Sequence, residues 1–240
     1  MPPCYNGGKM RGVFIVLEGT DGSGKGTQAK ILYEKLKKKG FKVLKISFPQ
    51  YGSKSAGPVE EYLNGKYGSP DKLNPYAASL FYALDRFDFS AKIREKIENG
   101  WIVLADRYVD SNAGHQGGKI KDEKERVKFI AWLYGIEYGI LNIPKPDLAI
   151  ILHVPAEIGQ KLIKQRKKRD YVAGGKKHDG HEADFGHLKA AENSYLWLAK
   201  KYPDEHILIE CLSQSRLLSP EEISRKVWQA VGPLLAKLKK

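Results

Sequence analysis

Cysteine is nearly absent from this sequence: only Cys4 and Cys211 occur among 240 residues, far apart and outside any CxxC pairing. That excludes a disulfide scaffold and a cysteine-rich metal centre, and it points to a reducing compartment. Long apolar runs are missing as well. None approaches the roughly 18 residues of a bilayer crossing. The stretch from Met1 to Gly8 lacks the apolar core of a secretory signal and reads as the start of a short flexible leader, residues 1–11, on a cytoplasmic protein. Acid is in deficit, 28 Asp+Glu against 41 Lys+Arg, a net charge of +13. Such a balance suits anionic partners: nucleic acid, a membrane surface or phosphorylated small molecules. Arginine is also scarce, 9 against 32 lysines, so each arginine is informative. What is present is globular: 42% hydrophobic residues exclude a disordered chain, and the length suits one domain over 12–240.

Val13 to Leu17 is an unbroken, β-branched-rich apolar run, too short for a helix and too apolar for a surface strand. It predicts a buried parallel strand. Further strands are expected at Lys42–Phe48, Trp101–Ala105, Leu148–Val154 and His206–Cys211. Helices are expected from the glycine-rich turn through Lys39, over Asn74–Asn99 with Leu80, Ala83, Leu84 and Phe87 on one side, over Lys121–Leu141, near Ala190–Lys200, and from about Pro220. Strands alternating with helices predict an α/β fold, a five-stranded parallel sheet covered on both faces.

Between the first strand and helix runs Gly19-Thr20-Asp21-Gly22-Ser23-Gly24-Lys25-Gly26-Thr27. Backbone N–H groups of such a loop curl around a phosphate, which a Cβ would obstruct, and Lys25 adds a point charge. Gly19, Gly22, Ser23, Gly24, Lys25, Gly26 and Thr27 are therefore the expected phosphate-binding residues, those that would bind ATP in the family resemblance given below. Gly26 stands where this loop ordinarily carries Ser or Thr, so Thr27 or a water would serve the metal. Asp106-Arg107-Tyr108 closes the third strand, where parallel α/β proteins place ligands. Asp106 suits a magnesium-bound water and Arg107 a second phosphate, held bidentately. A structural salt bridge is the plain alternative there. Tyr82 and Arg86 share a helix face, fit for stacking on a base and bonding its edge, or for core packing.

Residues 161–177 hold eight basic side chains, among them Arg166 and Arg169, followed by Gly174-Gly175. A basic lid at about 166–184 closing on a triphosphate, a nucleic-acid-binding helix and a solvated charged helix all fit this composition. His178, His181, Glu182 and His187 lack HExxH spacing, which argues against a dedicated metal site.

These motifs, in this order, together with Phe48-Pro49-Gln50-Tyr51 and Ser111-Asn112, resemble the thymidylate kinase family from Val13 to the C-terminal helix. The resemblance implies a P-loop NTPase fold, magnesium- and ATP-dependent phosphorylation of dTMP to dTDP, and a homodimer, with no nucleic-acid or membrane partner. It implies that Asp21 faces the acceptor's sugar and phosphate, that Phe48 and Tyr82 flank thymine, and that Arg86 and Asn112 bond the base with Ser111 nearby. Arg107 would hold the acceptor phosphate, with His115 and Gln116 in the same pocket. Lys25, Arg107, Arg166 and Arg169 would be the catalytic cations.

The sequence departs from the family at several points. Gln50 replaces a frequent arginine, Gly26-Thr27 looks more like adenylate kinase, and Asp179-Gly180-His181-Glu182 lacks one lid arginine. Gly22 means that no arginine comes from the loop. His115 stands where the family often has tyrosine near the sugar's 2′ position, the place on which rejection of ribonucleotides would turn. Other nucleoside monophosphates remain alternative acceptors, and a P-loop nucleic-acid-binding NTPase is the reading from another class. A nucleoside kinase is the weaker rival. It would need a carboxylate base near the end of the second strand, where Phe48-Pro49-Gln50-Tyr51 offers none.

Overall fold

The computed structural model describes residues 11–165 and 184–238. Most of the expected leader, and Arg166 and Arg169 with nearly all of the expected lid, lie outside the described residues.

Strand β1 (Val13–Glu18) is buried at every position. It lies centrally in a five-stranded parallel sheet with β2 (Val43–Ser47), β3 (Ile102–Asp106), β4 (Leu148–His153) and β5 (His206–Glu210), in the order β2-β3-β1-β4-β5. Its burial on both faces accounts for its unbroken apolar character, because alternate side chains enter opposite cores. Val13, Ile15 and Leu17 meet Leu32 and Leu36 of helix α1 (Lys25–Lys38) and Val227 and Val231 of the C-terminal helix (Pro220–Lys237). On the other face, Phe14 and Val16 belong to a core with Ile93, Phe129 and Leu198. The register Leu17↔Asp106 brings the ends of β1 and β3 level, so the two segments that follow them are neighbours.

Two short helices escaped the periodicity reading: α2 (Gly57–Leu63) and α4 (Asp110–His115). Helix α3 (Pro75–Glu98) fits the expected span, with the Asn74 side chain accepting from the Tyr76 N–H. The apolar side read from its sequence does not face the core. Ala83 is buried, but Leu80, Leu84 and Phe87 are 41%, 51% and 47% exposed, while Arg86 and Ile93 turn inward. The single helix expected over Lys121–Leu141 is instead α5 (Glu123–Tyr134) followed by a π-helical turn, Gly135–Ile140. The wider turn changes the helical phase, and Glu137 within it is fully buried. Helices α6 (Ala156–Lys164) and α7 (Phe185–Lys201) follow β4, α7 beginning earlier than expected behind the Asp184 cap. A small antiparallel pair, β6 (Leu212–Ser213) and β7 (Arg216–Leu217), precedes the last helix, α8. No helix among the described residues is long and apolar enough to cross a membrane.

Asp110 of α4 is tied to the start of β5. It accepts from the Tyr134 hydroxyl at 2.7 Å and lies 3.0 Å from His206 Nε2, whose Nδ1 donates to the Tyr202 carbonyl. Burial works against a charged His206, but the Asp110 contact outweighs it and raises the pKa above the usual 6.5. The pair's contribution is therefore fully present below pH 6.5 and fades as pH rises through the raised value. Melting curves should show the Tm gap between wild type and His206→Gln narrowing between pH 5.5 and 8.5. A gap that stays constant would count against a charged His206.

Candidate active site

The loop leaving β1 rises between α1 and α6. Gly22 has φ 85°, and a Cβ there would stand 2.4 Å from the Gly159 carbonyl oxygen of α6, so the loop cannot carry an arginine at this position. Lys25, at the first position of α1, donates to the Thr20 carbonyl at 2.7 Å and to Ser23 Oγ at 3.3 Å. Burial, with Arg107 nearby, brings its pKa down to about 7 against the pull of Asp21, Asp106 and Glu18. A dry ammonium in this position is short of an anion.

Arg107 follows β3 with φ 73°, and its N–H donates to the Leu17 carbonyl. That left-handed backbone directs the guanidinium across the sheet end to Asp21, with Nη2 to Oδ1 at 2.6 Å. Nη1 lies 3.1 Å from His115 Nε2. Burial opposes the charge, but Asp21, with Tyr195, Asp106 and Glu18, holds the pKa well above the ordinary arginine value.

Glu18, to which no motif gave a role, anchors this turn. Its fully buried carboxylate accepts from the backbone N–H groups of Tyr108 and Ser111 (2.7 and 3.1 Å), from Ser111 Oγ at 2.6 Å and from the Tyr195 hydroxyl at 3.0 Å. Burial pushes the carboxyl above the usual range, and these donors oppose it. A single acid at the end of an otherwise apolar buried strand was the available signal.

Two cavities meet at Asp21 and Arg107. The larger, about 520 Å³, is lined by the loop from Asp21 to Thr27 except Ser23, and by Asp106. Ser23 is buried beside Lys25, and Gly19 lies behind the loop against Leu152. The smaller cleft brings together all the residues expected to bind the acceptor: Asp21, Phe48, Tyr82, Arg86, Arg107, Ser111, Asn112, His115 and Gln116. Asn112 Nδ2 donates to the Ser79 carbonyl. Gln116 Nε2 lies 3.4 Å from the Tyr62 hydroxyl, and Gln116 Oε1 is buried with no partner among the described residues. Gln50 does not line the cleft; its backbone N–H donates to Asp85, whose other oxygen accepts from Ser55.

Arg86 reaches the cleft wall with much of its fork already engaged. Nε and Nη2 each donate to the Glu137 carboxylate at 2.6 Å, and Nη1 donates to the Tyr108 carbonyl at 3.2 Å. Burial pushes the Glu137 carboxyl up and Arg86 opposes it. Glu137 was missed in the sequence; the signal available was that it is the one acid in Trp132–Leu141.

A Gly-rich phosphate loop on the central strand, with a second cation facing it across a joint cavity, defines a P-loop phosphotransferase that handles two phosphorylated ligands. The thymidylate kinase family model matches residues 17–212. Among curated relatives, the chain is 33% identical over 173 residues to the thymidylate kinase of Mycobacterium tuberculosis, covering 72% of this chain and 78% of that protein. It is 32% identical to the thymidylate kinase of Caldanaerobacter subterraneus subsp. tengcongensis, covering 85% and 90%. The solved structure of thymidylate kinase from Candida albicans superposes with a TM-score of 0.71 at 23% identity, covering 96% of this chain and 94% of that one, and so agrees in fold. The chain belongs to the thymidylate kinase family, and its reaction is the phosphorylation of dTMP to dTDP.

Removing one partner of a buried ion pair leaves an uncompensated charge, at a cost of about 3–5 kcal/mol. Glu137→Gln should therefore lower the Tm by roughly 6–20 °C. An unchanged Tm in calorimetry would mean that Arg86 is held by something else.

Proposed function

We propose that ATP occupies the larger cavity and dTMP the smaller, their phosphates meeting between Lys25 and Arg107. The observation that carries this reading is the junction of the two cavities at the Asp21–Arg107 pair. In-line transfer needs both anions neutralised and aligned at one point. The loop from Gly19 to Gly24 holds the donor phosphates and Lys25 bridges their oxygens. Arg107 exchanges part of its contact with Asp21 for the acceptor phosphate, and Asp21 stays beside the sugar. Tyr82 and Phe48 border the base, with Arg86, Asn112 and Ser111 along its edge. Gln116 Oε1 has no donor among the described residues, and the N3–H of thymine is one. Arg166 and Arg169 supply the remaining charge from the lid.

The residues at the loop fit magnesium. A Cβ on Gly26 would approach Asp106 Oδ2 to 3.2 Å, so a carboxylate stands where the motif's hydroxyl side chain would project. Asp106 and Thr27 line the same cavity and offer the oxygen donors that a hard cation prefers. Asp106 would hold the ion through water, with Thr27 a further candidate, and bound magnesium neutralises charge on the phosphoryl oxygens.

The enzyme works as a homodimer in this reading. Support comes from α3, where Leu80, Leu84 and Phe87 form an exposed apolar row at i, i+4 and i+7. The buried Cys211 thiol, free and pushed up to about 12 by burial, suits the reducing, cytoplasmic setting inferred from the sequence.

Steady-state kinetics test the acceptor assignment: Arg107→Ala should reduce turnover of dTMP by roughly 10²–10³-fold while ATP binding stays close to intact. Unchanged turnover would remove Arg107 from the acceptor site. Because Lys25 is mostly uncharged above pH 7 until an anion arrives, ATP binding at pH 8 should take up protons. Calorimetry in buffers of different ionisation enthalpy reads this directly, and equal heats in every buffer would contradict it. Leu84→Glu should shift the protein from dimer to monomer in sedimentation velocity; an unaltered coefficient would place the interface elsewhere.

A further inference from the structure

The His115 ring is clamped from two sides. Tyr195 meets it edge-on, with ring centres 6.0 Å apart, and His187 of α7 lies end to end with it, the ring centres 5.3 Å apart and the planes within 19° of each other. The backbone leading to this clamp has little freedom. A Cβ on Gly114 would stand 2.3 Å from the Tyr195 ring, and Asp184 accepts from the N–H of His187.

The contacts of the two rings run in one direction. Arginine nitrogens only donate, so the 3.1 Å contact from Arg107 Nη1 makes His115 Nε2 an acceptor. His115 is then neutral and carries its proton on Nδ1, which donates at 3.1 Å to His187 Nε2. His187 must in turn carry its proton on Nδ1, and that atom faces the Asp71 carboxylate at 3.6 Å. The chain of polarity is therefore Asp71, His187, His115, Arg107. It resembles the general arrangement in which one group fixes the tautomer of a histidine so that the far nitrogen is free to act.

We propose that His187 is a positioning residue for the transfer reaction. By accepting the His115 proton it keeps the His115 Nε2 lone pair turned toward Arg107, and so holds the guanidinium where the acceptor phosphate arrives. The inference rests on the reading of Arg107 as the acceptor-phosphate residue. Nothing in the motif comparison marked His187, which is buried and outside both cavities. An acceptor at this point is the essential element. Gln at position 187 can supply an amide oxygen in place of Nε2 and an N–H toward Asp71, whereas Leu fills the space with neither.

The test combines kinetics with long-range 15N spectroscopy of the histidine rings in the ligand-free protein, the His115 signals being assigned by their loss in His115→Asn. Wild type should show His115 with unprotonated Nε2 at pH 7.5. His187→Leu should raise the KM for dTMP on the order of tenfold, the low end of what outer partners contribute at metal-ligating histidines. The KM for ATP and kcat should change by less than about twofold, and His187→Gln should restore the wild-type KM. A wild-type spectrum with protonated Nε2, or equal KM values for the Leu and Gln variants, would overturn the proposal. If the Leu variant does not fold, the wild-type spectrum and the Gln variant still decide it. An Arg107→Ala enzyme with unchanged turnover would instead sink the reading of Arg107 and leave the ring spectrum standing, so the two failures are separable.

Discussion

A carboxylate with no access to water holds the site together. Glu18 ends the central strand and gathers donors from the turn after β3, from the first turn of α4 and from α7. Four donors on one buried acid make a cross-brace between three separate parts of the chain, and loss of the acid would leave those donors unsatisfied in a dry environment. The brace explains how Arg107 can keep a left-handed backbone, which a non-glycine residue adopts only when its surroundings over-determine it. With that conformation fixed, the guanidinium reaches across to Asp21, and the two cavities share a charged boundary.

That boundary dictates the chemistry. Asp21 is the one carboxylate among the described residues that line the smaller cleft, and it is paired with Arg107. A paired carboxylate is a weak base, so the cleft is poorly equipped to activate a neutral hydroxyl. A nucleoside monophosphate needs no such help. Its phosphate is mostly dianionic at neutral pH, with a second pKa of about 6, and arrives already nucleophilic. The protein's task is then to hold cations at fixed places, which the braced positions of buried Arg86 and half-buried Arg107 accomplish, joined by buried Lys25 once an anion charges it. Burial costs charged groups dearly when they are alone. Here each is prepaired: Lys25 with backbone and hydroxyl oxygens, Arg107 with Asp21, Arg86 with Glu137.

Much of this was legible in the sequence because it depends on local pattern. The buried strands announced themselves as short apolar runs, and the phosphate loop as glycines at fixed spacing between a strand and a helix. The residues expected around the acceptor lie together because β1 and β3 end in register. What escaped depends on contacts between distant segments. Glu18 and Glu137 are single acids whose partners lie far along the chain, and His187 acquires meaning only beside His115. Periodicity found α3 but not what its apolar side meets. Apolar residues at helical spacing mark a face that avoids water, but they do not say whether the protein's own core or another surface covers it, and Leu80, Leu84 and Phe87 face outward. The π-helical turn after α5 was invisible for a related reason, since inserting one residue into a helical turn leaves composition unchanged.

The central claim is that the acceptor must bring its own anion to a cleft built of fixed cations. Phosphoryl transfer from ATP to dTMP and to thymidine, followed side by side with purified enzyme and magnesium, tests it most directly. The account predicts rapid dTDP formation from dTMP and no measurable dTMP formation from thymidine. Comparable rates with the two acceptors would contradict it.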